Sequence, residues 1–150
     1  MWSWLSRFLG FDQWVFERVE VTSDVVDAIV ELAHMTHPKE FVLFFEARKV
    51  GSALRIDGLV FQTYDASEDS AHFHIQLPTL TPLTGTVHSH PGYSNRPSDA
   101  DLTLFRKHGL VHAIICMPYA ASSLRFYDKH GGALPYSIVK EQTEDPHAIL

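Results

Sequence analysis

The chain has 150 residues, of which 45% are hydrophobic and 20% are charged, and its formal net charge is −6. This length is typical of one domain with a substantial core, so we expect a single domain over residues 1–150. The negative charge excludes the basic surface of a nucleic-acid-binding protein. No apolar run approaches the ~20 residues of a transmembrane helix. The one cysteine, Cys116, cannot form an internal disulfide, which favours a reducing, cytoplasmic location.

Aromatic residues are concentrated at the N-terminus, where all three tryptophans lie in the first 14 residues. We expect residues 1–19 to form an extension containing a short amphipathic helix that docks on the body of the protein. The alternatives are a contact with a partner or a second copy of the chain, and attachment to a membrane surface.

Two helices are predicted among the strands. The first covers residues 22–38, where Thr22 or Ser23 supplies the N-cap and Pro38 ends the helix. The second covers residues 99–109, with a glycine as its C-terminal stop.

Apolar runs and alternating patterns predict the strands, and the charged segment 140–150 is expected to be a flexible tail. Helices and strands in this order favour an α/β or α+β domain with a central sheet. The predicted strands are 14–22, 40–51, 54–67, 71–78, 86–90, 110–117, 122–128 and 133–139.

His88 and His90 are two positions apart at the end of a predicted strand, so their side chains share one face. Asp101, at the start of the following helix, can add a carboxylate to them. Three protein ligands with an open fourth position are typical of a catalytic zinc site rather than a structural one. Zn²⁺ in such a site lowers the pKa of bound water to about 7 and polarises a carbonyl. We therefore expect one Zn²⁺ per chain.

The same stretch also fits a purely structural interpretation. Ser98 and Asp101 have the spacing of a capping box, with Ser98 as the N-cap of the helix. Histidines at a strand end before a Pro-Gly turn are common without a metal. Because a zinc ligand cannot easily reach back to the N-cap amide, capping and ligation are expected to conflict for Asp101.

The segment His88-Ser89-His90, followed after seven residues by Ser98-x-x-Asp101, resembles the H-x-H-x7-S-x-x-D signature of the JAMM (MPN+) metalloproteases. Glu40 stands where that family carries its upstream glutamate. The resemblance implies a cytidine-deaminase-like α/β fold, in which helices flank a mixed β-sheet. It also implies hydrolysis of isopeptide or peptide bonds after the C-terminus of ubiquitin or a ubiquitin-like protein.

The resemblance further implies a role for each matching residue. His88, His90 and Asp101 would hold the zinc. Glu40 would accept a proton from the zinc-bound water and deliver it to the leaving amine. Ser98 would donate a hydrogen bond to the tetrahedral oxyanion.

Three further features leave alternatives open. Leu43 stands where the family commonly has glycine, so Glu46, with the same strand parity as Glu40, is the alternative base. A second H-x-H, His72 and His74, is expected to be an exposed polar face rather than a second metal site. Cys116 has no neighbouring base in sequence, which disfavours a cysteine protease.

Two other functions compete with the deconjugating protease. One is a zinc hydrolase of the same fold that acts on a small amide or a sulfur-carrier protein adduct, and the other is a non-catalytic scaffold subunit. A zinc deaminase is disfavoured because no P-C-x-x-C element is present. The expected partners are ubiquitin-like conjugates, with a homodimer or a larger degradation complex as possible assemblies. The compact chain predicts modest selectivity among linkages.

Overall fold

The computed structural model describes residues 15–61 and 84–141, in which eight strands form one mixed sheet with a helix on each face. The order across the sheet is β7-β6-β5-β4-β2-β3-β1-β8, and it confirms the predicted α/β fold. In chain order the elements are β1 (Arg18–Thr22), α1 (Ser23–Thr36), β2 (Val42–Val50), β3 (Ala53–Val60), β4 (Gly85–Ser89), α2 (Asp99–Lys107), β5 (Val111–Ile115), a 3₁₀ turn (Ala121–Ser123), β6 (Leu124–Asp128), β7 (Ala133–Leu134) and β8 (Tyr136–Val139).

Helix α1 covers one face of the sheet with an apolar stripe. Its N-cap is Thr22, whose side chain accepts a hydrogen bond from the backbone N–H of Val25 over 3.4 Å. The helix ends at Thr36, two residues before the predicted stop at Pro38. Its buried side chains join inward-facing residues of the strands in the main core, which includes Val25, Ile29, Ala33, Val87, Ala113, Ile115 and Phe126.

Side chains of β4 and β5 point alternately to the two faces of the sheet, and the predicted ligand His88 lies on the face covered by α2. In the parallel β4–β5 pair, Val87 lies opposite Ala113 and both face α1. His88 lies opposite Ile114, and this pair faces α2, whose Phe105 is fully buried. Because side chains alternate along a strand, His88 is placed beneath the helix whose first turn carries Asp101.

Gly109 ends the α2 segment as predicted, and its position requires glycine. Its φ of +118° lies where other residues are strained, and a Cβ there would lie 2.5 Å from the carbonyl oxygen of Thr84. The next residue, Leu110, donates its N–H to the same oxygen over 2.9 Å. This close approach starts β5 directly beside β4.

The prediction of one strand over 133–139 is wrong. Pro135 divides the segment into β7, which pairs with β6, and β8, which pairs in parallel with β1 at the opposite edge of the sheet. A proline cannot donate a ladder hydrogen bond, so the chain changes partner at this residue. Since only Pro135 separates β7 from β8, the two edges of the sheet approach each other there.

Several predictions fall outside the described residues: the N-terminal helix, the end of the predicted 54–67 strand, the 71–78 strand with His72 and His74, and most of the tail. No helix in 15–61 or 84–141 is long and apolar enough to cross a membrane.

Candidate metal centre

Three side chains predicted as ligands converge at the end of β4. Nε2 of His88 and Nε2 of His90 lie 3.1 Å apart, and the carboxylate of Asp101 lies 3.0 Å from the first and 3.2 Å from the second. His88 is buried, whereas His90 and Asp101 are partly exposed. Within the described part of the chain, these residues are the one group of three whose geometry could hold a metal ion.

Neighbouring groups fix both imidazole rings. Nδ1 of His90 lies 2.9 Å from the backbone carbonyl of Ser94, which can only accept, so Nδ1 carries a proton. In the neutral ring, Nε2 of His90 therefore carries no proton, and its lone pair can bind a metal ion beside the other predicted ligands. Nδ1 of His88 is buried and has no hydrogen-bond partner among the described residues, so packing against Phe105 orients this ring.

Asp101 caps helix α2 and also faces the predicted histidine ligands. Oδ2 accepts the backbone N–H of Ser98 over 2.7 Å, and Ser98 Oγ accepts the backbone N–H of Asp101 over 3.2 Å. These two bonds complete a capping box at the start of α2. Oδ1 meanwhile lies 3.0 Å from His88 Nε2. The carboxylate thus caps with one oxygen and faces His88 with the other, an arrangement in which capping leaves Oδ1 directed at the cluster.

The charge state of the cluster suits ligation. Burial alone would raise the pKa of Asp101, but hydrogen bonds from His88, His90 and Ser98 outweigh it and hold the pKa far below its usual range. The hydrogen bond with Asp101 raises the pKa of His90, against the opposing effect of burial. A negatively charged carboxylate beside two imidazole nitrogens suits a cation.

The donor set fits a metal ion such as zinc. Ligand atoms about 2.0–2.2 Å from one tetrahedral ion lie about 3.3–3.6 Å from each other. The observed separations of 3.0–3.2 Å are slightly shorter than this range. Two imidazole nitrogens and one carboxylate oxygen match the three protein ligands of catalytic zinc sites.

Glu40 lies beside this cluster because its segment continues the pairing of β2 with β4. Val42 is opposite His88 in the antiparallel register. One residue further, Phe41 donates its N–H to Ser89 Oγ over 3.1 Å and accepts the Ser89 N–H over 3.2 Å. Glu40 is therefore the next residue along, on the side of the strand that carries His88. Its negative charge contributes to the raised pKa of His90.

Ser98 is exposed at the N-cap of α2, next to the ligand carboxylate. Its oxygen accepts the Asp101 N–H, and a hydroxyl that accepts in this way keeps its own proton to donate. The residue that could bind an oxyanion is thus linked directly to a predicted metal ligand.

The structure does not bring the alternative groups to the cluster. Glu46 lies six residues beyond Glu40, which is about 20 Å along an extended strand, and it packs against Gly58 of β3. Burial raises the pKa of the Cys116 thiol, whereas a nucleophilic cysteine needs a lowered one.

Two residues that support the site were not predicted. Ser89, between the two histidines, is buried and holds the Phe41 backbone. Tyr119 is 4% exposed and bonds to both His37 and the backbone of His90. Ser89 could have been suspected from its place in the motif, but no local pattern marks Tyr119.

Fold and cluster together have the donor arrangement of a metal-dependent hydrolase, and comparison with known proteins gives the family. Residues 22–128 match the family model for prokaryotic homologs of the JAB domain. A relative from Haloferax volcanii described as a probable metalloprotease is 31% identical over 146 residues, covering 89% of this chain and 88% of the relative. The chain therefore belongs to the JAMM (MPN+) metalloprotease family.

Solved structures agree with this assignment. A JAMM structure described as a metalloprotease-like zinc site in the proteasome and signalosome is 30% identical, with a TM-score of 0.63, and covers 83% of this chain and 100% of its own. A JAB1/MPN domain protein from Archaeoglobus fulgidus is 28% identical, with the same TM-score of 0.63, and covers 83% of this chain and 99% of its own.

Proposed function

We propose that this protein is a zinc-dependent isopeptidase or peptidase that hydrolyses the bond after the C-terminus of ubiquitin or a ubiquitin-like modifier. The observation that carries the proposal is the convergence of His88, His90 and Asp101 within hydrogen-bond distance, with Glu40 on the adjoining strand segment. A scaffold subunit would not need two imidazoles and a carboxylate directed at one point.

Each residue of the candidate site has a part in the proposed reaction. When bound, Zn²⁺ would supply Lewis acidity and lower the pKa of water to about 7. His88, His90 and Asp101 would hold it. Glu40, exposed at the rim, would take the proton from the attacking water and pass it to the leaving amine. Ser98 would donate its hydroxyl proton to the oxygen on which negative charge develops.

A groove beside Glu40 supports an extended peptide substrate. It has a volume of about 380 Å³ and is bounded by the end of α1 and the start of β2. Within the described residues, β3 pairs with β2 only from Phe44 onward, so the β2 backbone before this residue faces the groove. An extended tail could add to this backbone as a further strand. The apolar lining of the groove includes Leu32, Met35, Phe41, Leu43 and Phe61.

The test combines metal analysis with one substitution. Purified protein is expected to contain about one zinc per chain, as three ligands and an open position require. Glu40→Gln should keep the zinc and lose at least about 100-fold in kcat, the lower range for general acid–base catalysis. The substrates are a ubiquitin conjugate joined through a lysine isopeptide bond, a linear ubiquitin fusion and a panel of small amides.

Glu46→Gln is the matched control, because it changes the same kind of group within β2, about 20 Å from Glu40 along the extended chain. It should cleave as the wild type does. Absence of zinc from the wild type, or full activity of Glu40→Gln, would contradict the proposal. Cleavage of small amides alone would favour the second hydrolase class.

A further inference from the structure

Glu40 lies just before β2, so contacts of its neighbours decide where its carboxylate lies. On one side, Phe41 is held to Ser89 by two hydrogen bonds. On the other side, three residues before Glu40, Nδ1 of His37 lies 2.8 Å from the hydroxyl of Tyr119. The segment is thus tied to the rest of the protein at both ends.

The hydroxyl of Tyr119 contacts both halves of the site. Besides His37, it lies 3.2 Å from the backbone carbonyl oxygen of His90. The rings of His34 and His37 pack edge-on against the tyrosine ring, at centroid distances of 5.4 and 5.6 Å. One buried side chain therefore connects the Glu40 segment to a predicted metal ligand.

The direction of these hydrogen bonds follows from the groups involved. A carbonyl can only accept, so the Tyr119 hydroxyl donates its one proton to His90. It must then accept from His37, whose Nδ1 carries a proton. Burial raises the pKa of Tyr119 and the negative charge of Glu40 acts in the same direction, so the hydroxyl keeps its proton.

The backbone at Tyr119 holds this geometry at a cost. Its φ of +59° lies in the left-handed region, which disfavours a residue with a side chain. Such conformations persist where the surroundings determine them. Here the N–H of Tyr119 donates to the backbone carbonyl of Cys116 over 2.9 Å. The N–H of Met117 donates to the backbone carbonyl of Gly92, in the loop after His90, also over 2.9 Å.

We propose that Tyr119 is a positioning residue that holds the His37–Phe41 segment, and with it Glu40, against the strand that carries the metal ligands. The inference rests on the proposed function in taking Glu40 as the base. Without the hydroxyl, the segment keeps its Phe41–Ser89 bonds and its backbone bonds to the end of α1, but it loses the side-chain link to the backbone of His90.

The variant Tyr119→Phe removes the hydroxyl and retains the ring. We expect zinc content and KM to stay unchanged and kcat to fall about 10- to 100-fold, because small misplacements of a reacting group cost up to that amount. The kcat is measured on the ubiquitin conjugate with zinc-loaded protein. The matched control is Tyr136→Phe, which removes a hydroxyl that donates to the Leu124 carbonyl over 2.9 Å, away from the cluster. It should keep the wild-type kcat.

Amide hydrogen exchange gives a measurement that does not depend on activity. In Tyr119→Phe, the amides of Lys39 and Phe41 should exchange about tenfold faster, as expected for local opening. Those in the middle of β5 should not change, whereas global destabilisation would accelerate all of them. If the wild type cleaves no substrate, the proposed function fails, and exchange still decides whether Tyr119 holds the segment.

A double variant tests whether the two partners act together. If His37 and Tyr119 act through one bridge, Tyr119→Phe combined with His37→Phe should be no slower than the slower single variant. Additive losses would overturn the proposal, as would unchanged exchange at Lys39 and Phe41. Loss of zinc from Tyr119→Phe would also overturn it, since the residue would then support the ligands.

Discussion

Ser98 and Asp101 are joined by two reciprocal hydrogen bonds, of 2.7 Å and 3.2 Å, that link the backbone of each residue to the side chain of the other. The predicted oxyanion donor and the predicted metal ligand therefore form one rigid unit at the first turn of α2. Because Oδ2 is held by the cap, Oδ1 is directed toward His88. This preorganisation reduces the ordering that ligation would otherwise require.

The variant Asp101→Asn should lose the metal while keeping the helix. An amide oxygen can still accept the Ser98 N–H, so the second bond of the capping box is kept. The negative charge that attracts the cation is gone, so zinc affinity should fall at least as far as the 10- to 100-fold seen when outer partners of a ligand are changed. Competition with a chromophoric chelator measures it.

Asp99→Asn is the control for this experiment. Asp99 is also in the first turn of α2, but it is exposed and no part of the ligand cluster. Its loss should change only the favourable interaction with the helix dipole, about 0.3–1 kcal/mol. Equal zinc affinity in Asp101→Asn and the wild type would exclude Asp101 as a ligand.

Ser98→Gly separates capping from catalysis. Glycine at an N-cap costs only a few tenths of a kcal/mol relative to serine, whereas alanine costs about 1 kcal/mol. The glycine variant should therefore fold and bind zinc normally. Its kcat should fall about 10²- to 10³-fold with little change in KM, because an oxyanion donor acts in the transition state. Wild-type kcat in this variant would assign Ser98 to capping alone.

Local spacing allowed the ligand cluster to be predicted. His88 and His90 lie within one strand end, and Ser98 and Asp101 within one helical turn, so secondary structure alone determines which faces they share. The conflict expected for Asp101 treated its carboxylate as one group. In the structure, Oδ2 accepts the Ser98 N–H and Oδ1 faces His88.

Contacts between distant segments could not be predicted in the same way. Tyr119 bonds to a residue 82 positions away, and this contact depends on how the turn after β5 meets the end of α1. The exchange of sheet edges at Pro135 is equally non-local, because β8 pairs with β1 at the other end of the chain. The pattern of apolar residues in a strand indicates which side chains are buried, but it does not indicate which strand will pair with it.

His112 gives a prediction about pH. Its side chain is fully buried, stacks on Phe105 at a centroid distance of 4.2 Å, and places Nδ1 2.8 Å from the Thr86 hydroxyl. Burial lowers its pKa from 6.5 to about 4. The unfolded chain therefore binds this proton between pH 6.5 and about pH 4 while the folded chain does not, so the protein loses stability as the pH falls through that range.

The variant His112→Asn should remove this dependence, because an amide occupies the position of Nδ1 and does not titrate. Between about pH 7 and about pH 4, the loss in free energy of unfolding should be smaller in the variant by as much as about 3 kcal/mol. Urea denaturation of chelator-treated protein measures it, since metal release would add its own pH dependence. The exposed His130, in the turn before β7, provides the control, and His130→Asn should keep the wild-type profile. Parallel curves for His112→Asn and the wild type would show that His112 does not become protonated on unfolding in this range.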